Sequence, residues 1–169
     1  CASCDGMFYR GKTVAVIGGG NTAVADALLL SRLASKGILI HRRDTLRAAR
    51  VYHKPLTAAE NIDFCWNSAV EEIRQGEVVV KNLLTGEVST IVCDGVFVGI
   101  GRAPATELVK DALTLDEGGY IVAGESTQTN IPGVFAVGDV RKKALRQIVT
   151  AVADGAIAVH HAEEYLAQN

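Results

Sequence analysis

Aromatic residues make up only 5% of this 169-residue sequence, so its core must be built mainly from Val, Ile, Leu and Ala. Strong charge is missing too. The formal net charge is −2, which gives no electrostatic pull toward DNA, RNA or an anionic membrane, and neither nucleic acid nor membrane is expected as a partner. No apolar run approaches the roughly 18 residues of a spanning helix. The longest candidate, "IVTAVADGAIAV", is interrupted by Asp154 and Gly155, and nothing at the start has the pattern of a signal peptide. Four cysteines are too few and too unevenly spaced for a secreted disulfide scaffold. A four-cysteine zinc site would need a second close pair, and none exists. Cys65 and Cys93, each alone in an apolar strand-like run, read as ordinary buried thiols. What remains is one special dithiol, Cys1-x-x-Cys4, in a protein expected to be cytoplasmic and metal-free. Internal repeats and low-complexity segments are absent.

What is present points to an α/β protein rich in tight turns, with 17 glycines and a 49% hydrophobic share. "KTVAVIGGG" reads as a short buried strand running into glycines. "NTAVADALLLSRLASKG" places Val24, Ala27, Leu28 and Leu33 at helical spacing, with Gly37 as a stop signal. "ILIHRRD" is a second buried strand ending in charge, which completes a β-α-β unit. After Pro55 a short helix is expected, then strand-like "IDFCW" and "AVEEI". In "EVVVKNLLTGEVSTIVCDGVFVGIG", Thr85-Gly86 marks a hairpin turn between alternating strands. The fold is therefore a Rossmann-like α/β domain with an antiparallel meander inserted before the last parallel strand. A change of pattern around Arg102-Ala103-Pro104 suggests a boundary, with domains at 1–102 and 103–169. The second domain should hold a strand pair around "GYIVA", a strand "GVFAVGD" and a helix from about Arg146 to Leu166.

Gly18-Gly19-Gly20-Asn21-Thr22-Ala23 fits G-x-G-x-x-(G/A) between a strand and an amphipathic helix. Glycine permits the tight turn and the close approach of a pyrophosphate, and the small third residue lets helix and strand pack. Where an NAD-binding protein carries an acidic residue for the ribose hydroxyl, this chain has His41-Arg42-Arg43, followed by Arg47. Guanidinium groups bind a 2′-phosphate through forked, charge-assisted hydrogen bonds, so NADP(H) is the expected nucleotide.

A lone C-x-x-C has three readings: a redox pair, half a metal site, or coincidence. Beside a dinucleotide-binding unit the redox reading gains weight. A flavin usually mediates between a nicotinamide and a disulfide, and Asp5 is placed to exchange protons with the thiols. In the tail, Gly138-Asp139 ends a strand-like run, where a carboxylate is placed for a ligand hydroxyl. Arg146, Gln147 and Ile148 open a helix whose positive end faces toward an anionic ring system; Asp139 as a simple turn or cap residue is the bland alternative.

"CASCDG", "GGGNTAVADALLLSRL", "LIHRRDTLRA", "TNIPGVFAVGDV" and "RQIVTAVADGAIAV" together resemble the bacterial-type, low-molecular-weight NADPH-dependent thioredoxin reductases. The resemblance implies a dithiol in the NADPH domain that serves an FAD domain split in sequence. Cys4 would lie nearer the flavin, Cys1 would exchange with thioredoxin, and Asp5 would be the acid. Arg42, Arg43 and Arg47 would hold the 2′-phosphate. Asp139, Arg146 and Gln147 would contact FAD, and the complete protein would be a homodimer whose domains swivel. Such proteins begin with their own G-x-G-x-x-G unit for FAD, and this chain has no second copy. A fragment of a longer reductase is therefore expected, inactive by itself. Two alternatives stand beside it: a nucleotide-binding module without turnover, and a related flavoprotein of a peroxide-reducing system. The latter favours NADH and should lack the arginine cluster. Ferredoxin–NADP reductases of similar organisation should lack the dithiol. Gly37 departs from the family pattern, where a β-branched residue is expected, and should only loosen a strand edge.

Overall fold

The computed structural model describes residues 1–168, which divide into two compact units, Cys1–Gly101 and the segment from Arg102 onward. Asn169, the last residue of the second expected domain, lies outside the described residues.

Unit 1 is organised by a four-stranded parallel sheet in the order β3-β2-β1-β7, with β1 Thr13–Ile17, β2 Lys36–Ile40, β3 Ile62–Cys65 and β7 Gly95–Val98. The crossover from β1 to β2 is helix α2, Asn21–Ser31. Successive side chains of a strand point to opposite faces, and β1 shows the consequence. Val14 and Val16 join Val24, Ala27, Leu30, Leu39 and Leu56 in one buried cluster, whereas Ala15 joins Ile40, Val78, Val80 and Cys93 in another. The first cluster is covered by α2, by α3 (His53–Thr57) and by α1 (Ala2–Asp5); the second lies under the antiparallel sheet β4-β5-β6, formed by Ser68–Arg74, Glu77–Asn82 and Val88–Val92. Each fully buried Leu or Val contributes about 1.5–3 kcal/mol, so a core poor in aromatic residues suffices. The hairpin between β5 and β6 turns at Gly86, whose φ is 76°, as expected for Thr85-Gly86.

Several sequence expectations need correction. Gly37 does not stop the helix. The helix ends at Ser31, and Gly37 is buried inside β2, paired with Val14 on one side and Ile62 on the other. A Cβ there would meet the tip of the Ile62 side chain, which would have to turn aside, and β2 is an interior strand rather than an edge. Helix α3 begins before Pro55, at His53. Cys93 is buried but lies between β6 and β7, and Cys65 is only half-buried.

In unit 2 the expected strands are reduced to isolated bridges, Leu115 with Ile121, Ile121 with Arg141 and Gln128 with Phe135. A strand is defined by its ladder, and "GVFAVGD" finds only one bridging partner among the described residues. A small core of Leu113, Ile121, Ala123 and Ala136 supports these turns. The long helix α4 runs from Ile148 to Gln168, two residues later than the sequence suggests. Gln147 occupies the cap: its carbonyl accepts from Ala151 N–H at 3.0 Å and from Thr150 Oγ1 at 2.8 Å. No helix among the described residues is long and apolar enough to cross a membrane.

Candidate functional site

At the C-terminal ends of β1, β2 and β7 lies a cleft of about 490 Å³, walled by Gly18, Gly19, His41, Arg42 and Arg47 together with side chains of β4. The position is where the chain order reverses, β2 on one side of β1 and β7 on the other. Open α/β sheets bind ligands there, because loops diverge at that point and leave a crevice.

The three glycines of the turn answer three different demands. Gly18 has φ of 133°, and a Cβ would lie 2.5 Å from the Gly99 carbonyl oxygen and 2.9 Å from Ala23 Cβ; it and Ala23 serve the close packing of α2 on the sheet. Gly19 lies on the His41 imidazole, where a Cβ would clash with the ring. At Gly20, the residue before α2, a Cβ would meet nothing within 4 Å. Packing does not require glycine at this third position, so the space above it is open for a ligand. The cap residue, Gly20, offers no side chain to the first turn of α2, and the backbone N–H groups of a helix start suit an anion.

His41 is 4% exposed, and its Nε2 has no hydrogen-bond partner among the described residues. Burial, joined by the positive charges of Arg47, Arg43 and Arg42, pushes its pKa below the usual value, against a hydrogen bond to the Thr45 backbone that acts the other way. The ring therefore stays neutral near pH 7, and the cationic character of the cleft comes from guanidinium groups. Arg42 and Arg47 line the cleft; Arg43 does not, standing exposed with its carbonyl accepting from Asn67 N–H at 3.3 Å.

The arginine loop is tied to the glycine turn through backbone atoms. The Gly19 carbonyl accepts from Arg47 N–H at 2.8 Å and from Ala48 N–H at 3.1 Å. Asn21 Oδ1 accepts from Ala49 N–H at 2.8 Å, so this side chain is engaged by the loop. Thr22, beside it on the first turn of α2, is exposed.

The dithiol stands elsewhere on unit 1. Within one turn of α1 the Cys4 thiol approaches Cys1 Sγ at 2.9 Å, and both residues and Asp5 are exposed. Ala2 is buried, and a Cβ on Gly6 would lie 3.3 Å from Leu33 and 3.4 Å from Leu30. These contacts fix the dithiol segment against the C-terminal end of α2, whereas the cleft opens at its N-terminus. An eleven-residue helix is roughly 16 Å long, so α2 separates the two sites.

In unit 2, Gly138 and Asp139 lie in a single 3₁₀ turn, Gly138–Val140. Exposed Asp139 pairs with Arg102 at 3.7 Å. Arg146 stacks over the Tyr120 ring at 3.8 Å and donates to the Asp139 carbonyl at 3.2 Å. Gln147 N–H donates to Thr150 Oγ1, and Ile148 is exposed. Sequence reasoning missed what holds this turn. Asp154, an interruption of an apolar run in the sequence, is a buried carboxylate. It accepts from Arg141 at 2.6 and 2.8 Å, from Lys143 at 2.8 Å and from Gly138 N–H at 2.9 Å. Its Arg141 partner, with Lys143 and the Gly138 amide, holds the carboxyl far below the ordinary range. The available signal was its location, because a charge inside an apolar helix is almost never buried unless paired. Also missed were Ser68, Ala69 and Val70, which wall the cleft. No motif marks them, since β4 reaches the cleft only through sheet packing.

Comparison with known proteins identifies the family. The family described as "Pyridine nucleotide-disulphide oxidoreductase" matches residues 1–155. The thioredoxin reductase of Peptoclostridium acidaminophilum is 45% identical over 100% of this chain and 57% of its own length; that of Bacillus subtilis (strain 168) is 42% identical over 98% and 54%. The crystal structure of thioredoxin reductase from Streptococcus pyogenes MGAS5005 superimposes with a TM-score of 0.90 at 42% identity, covering 100% of this chain and 57% of that one. The chain spans little more than half the length of these relatives.

Proposed function

Starting from the fact that this chain belongs to the pyridine nucleotide-disulphide oxidoreductase family, we propose that it forms the nucleotide-binding and dithiol-bearing part of an NADPH-dependent thioredoxin-disulfide reductase. The observation that carries this reading is one unit holding both an exposed dithiol and a glycine-turn cleft lined by Arg42 and Arg47. The open space over Gly20 and the guanidinium pair fit the pyrophosphate and 2′-phosphate of NADP(H), with Arg43 near enough in sequence to assist. Residues 1–102 are assigned to NADP(H) and the dithiol, and residues 103–169 to the trailing part of an FAD domain. There, Gly138, Asp139, Arg146, Gln147 and Ile148 would face the flavin, with Asp139 accepting from a hydroxyl. When bound, NADPH supplies hydride and FAD relays its two electrons toward a disulfide.

The chain's own residues perform the exchange. Cys1 as thiolate attacks a sulfur of the thioredoxin disulfide and releases a thiolate. Cys4 then attacks the mixed disulfide at Cys1 Sγ, leaving a Cys1–Cys4 disulfide and thioredoxin reduced by two electrons. Asp5 gives or takes the accompanying proton. The separation of dithiol and cleft along α2 explains why a mediator belongs in the scheme. The same reading places the whole protein in the cytoplasm as a homodimer.

A second reading rests on the cleft being formed wholly by unit 1: nucleotide binding then needs no turnover. The test is reduction of a disulfide reporter by the full-length protein with NADPH and thioredoxin. Activity that Cys1→Ser and Cys4→Ser each abolish supports the reductase, and a full-length protein without flavin refutes it. Loss of NADP(H) preference in Arg42→Ala plus Arg43→Ala checks the nucleotide assignment separately.

A further inference from the structure

We propose that Asn21 is a specificity-positioning residue, which sets the arginine loop to receive a 2′-phosphate without itself touching the nucleotide. The inference rests on the NADP(H) reading above and concerns how this chain achieves the preference. Residues 42–45 are exposed and belong to no helix or strand, so the ladder of β2 does not carry their order onward. The loop is held within by Asn67 N–H on the Arg43 carbonyl and by the His41 ring on the Thr45 backbone, and it is fastened to the glycine turn by the return of residues 47–49. The Gly19 carbonyl takes the amides of Arg47 and Ala48, and Asn21 Oδ1 takes the amide of Ala49 across 28 positions of sequence. Ala48 is buried in the main core, and its carbonyl is met by His53 Nε2 at 2.9 Å. The G-x-G-x-x-A pattern makes no demand at position 21. An acceptor reaching from the first turn of α2 therefore has a purpose outside the pyrophosphate motif. It is the only side chain among these contacts that links the turn to the arginine loop, and unlike the Gly19 carbonyl it can be removed by mutation.

NADP⁺ and NAD⁺ share the pyrophosphate and differ in the 2′-phosphate, so a fault in arginine placement must appear in their ratio. Calorimetric titration of the 169-residue protein with each nucleotide is the experiment. Loss of one such hydrogen bond predicts that Asn21→Ala weakens NADP⁺ binding about five- to tenfold and leaves NAD⁺ within about twofold. Asn21→Asp keeps an acceptor for Ala49. Its charge lies near the pyrophosphate common to both ligands, so both affinities fall while their ratio is retained. Amide exchange at Ala49 should quicken in Asn21→Ala and not in Asn21→Asp, a readout independent of any ligand. An unchanged ratio in Asn21→Ala, an equal fall for both nucleotides, or unaltered exchange at Ala49 overturns the inference. Equal affinity of the unmutated protein for the two nucleotides instead defeats the underlying cofactor reading.

Discussion

Replacing Asp154 by Asn keeps the shape of the side chain and removes the charge on which the turn around Gly138 and Asp139 depends. The side chains of Asp154, Arg141 and Lys143 are 4%, 12% and 8% exposed, so water cannot take over the lost partner. Breaking a buried ion pair from one side costs about 3–5 kcal/mol, because the opposite charge remains uncompensated. Here two cations are stranded, while the amide oxygen still accepts one hydrogen bond, so a cost of about 3 kcal/mol is expected. In a domain of 60–100 residues each kcal/mol moves the melting temperature by about 4–8 °C. Asp154→Asn should therefore lower it by at least ~12 °C. The pH dependence gives a second, independent reading. The folded pKa of Asp154 is depressed, so its contribution is complete above the unfolded value of about 3.9 and is lost as pH falls toward the folded value. Parent and variant should differ fully at pH 7. Below about pH 4 their gap should close by up to about 1.4 kcal/mol per pH unit. Urea denaturation followed by circular dichroism at several pH values measures the gap, and amide exchange at Gly138 localises it. A cost under about 1 kcal/mol at pH 7, or a gap that stays constant from pH 7 to pH 3, would refute the reasoning.

Two glycine substitutions should separate packing from ligand access. Gly20→Ala meets no atom within 4 Å, so it should leave the melting temperature nearly unchanged and cut nucleotide affinity at least about tenfold, which denaturation and titration would show side by side. Gly18→Ala, at φ of 133° and against the Gly99 carbonyl, should instead destabilise the fold by about 1–3 kcal/mol, and an unaltered melting temperature would contradict the packing described. His41 should titrate below its ordinary value in an NMR pH series, since burial and three arginines disfavour its charged form. The unfolded chain then binds more protons than the folded one, so the associated stability is present above about pH 6.5 and lost as pH falls through the folded pKa.

Much of this architecture was legible in the chain. The β-α-β pattern, the meander and the turn at Gly86 all follow from alternation, helical spacing and glycine, which are local properties. The glycine turn beside the cleft and the arginines Arg42 and Arg47 that line it were legible for the same reason, since each lies within a short stretch of sequence. Gly37 was misread because its role is set by Ile62 on the next strand, a neighbour 25 positions away. The strands expected in the tail were overestimated, since alternation marks a capacity to pair and only bridges formed.

The sequence by itself determined that this protein has a Cys-x-x-Cys pair, a glycine-rich turn between strand and helix, and a run of arginines after the second strand, because each is written in a contiguous stretch. Tertiary structure alone decided what those residues do to one another. It laid Gly19 on the His41 ring, left Gly20 open, and fastened the arginine loop to Gly19 and Asn21. It set the dithiol and the cleft at opposite ends of α2 and turned Asp154 from an interruption into an anchor. Each of these depends on burial or on a hydrogen bond between distant positions. Such energies exist only once the chain has closed on itself.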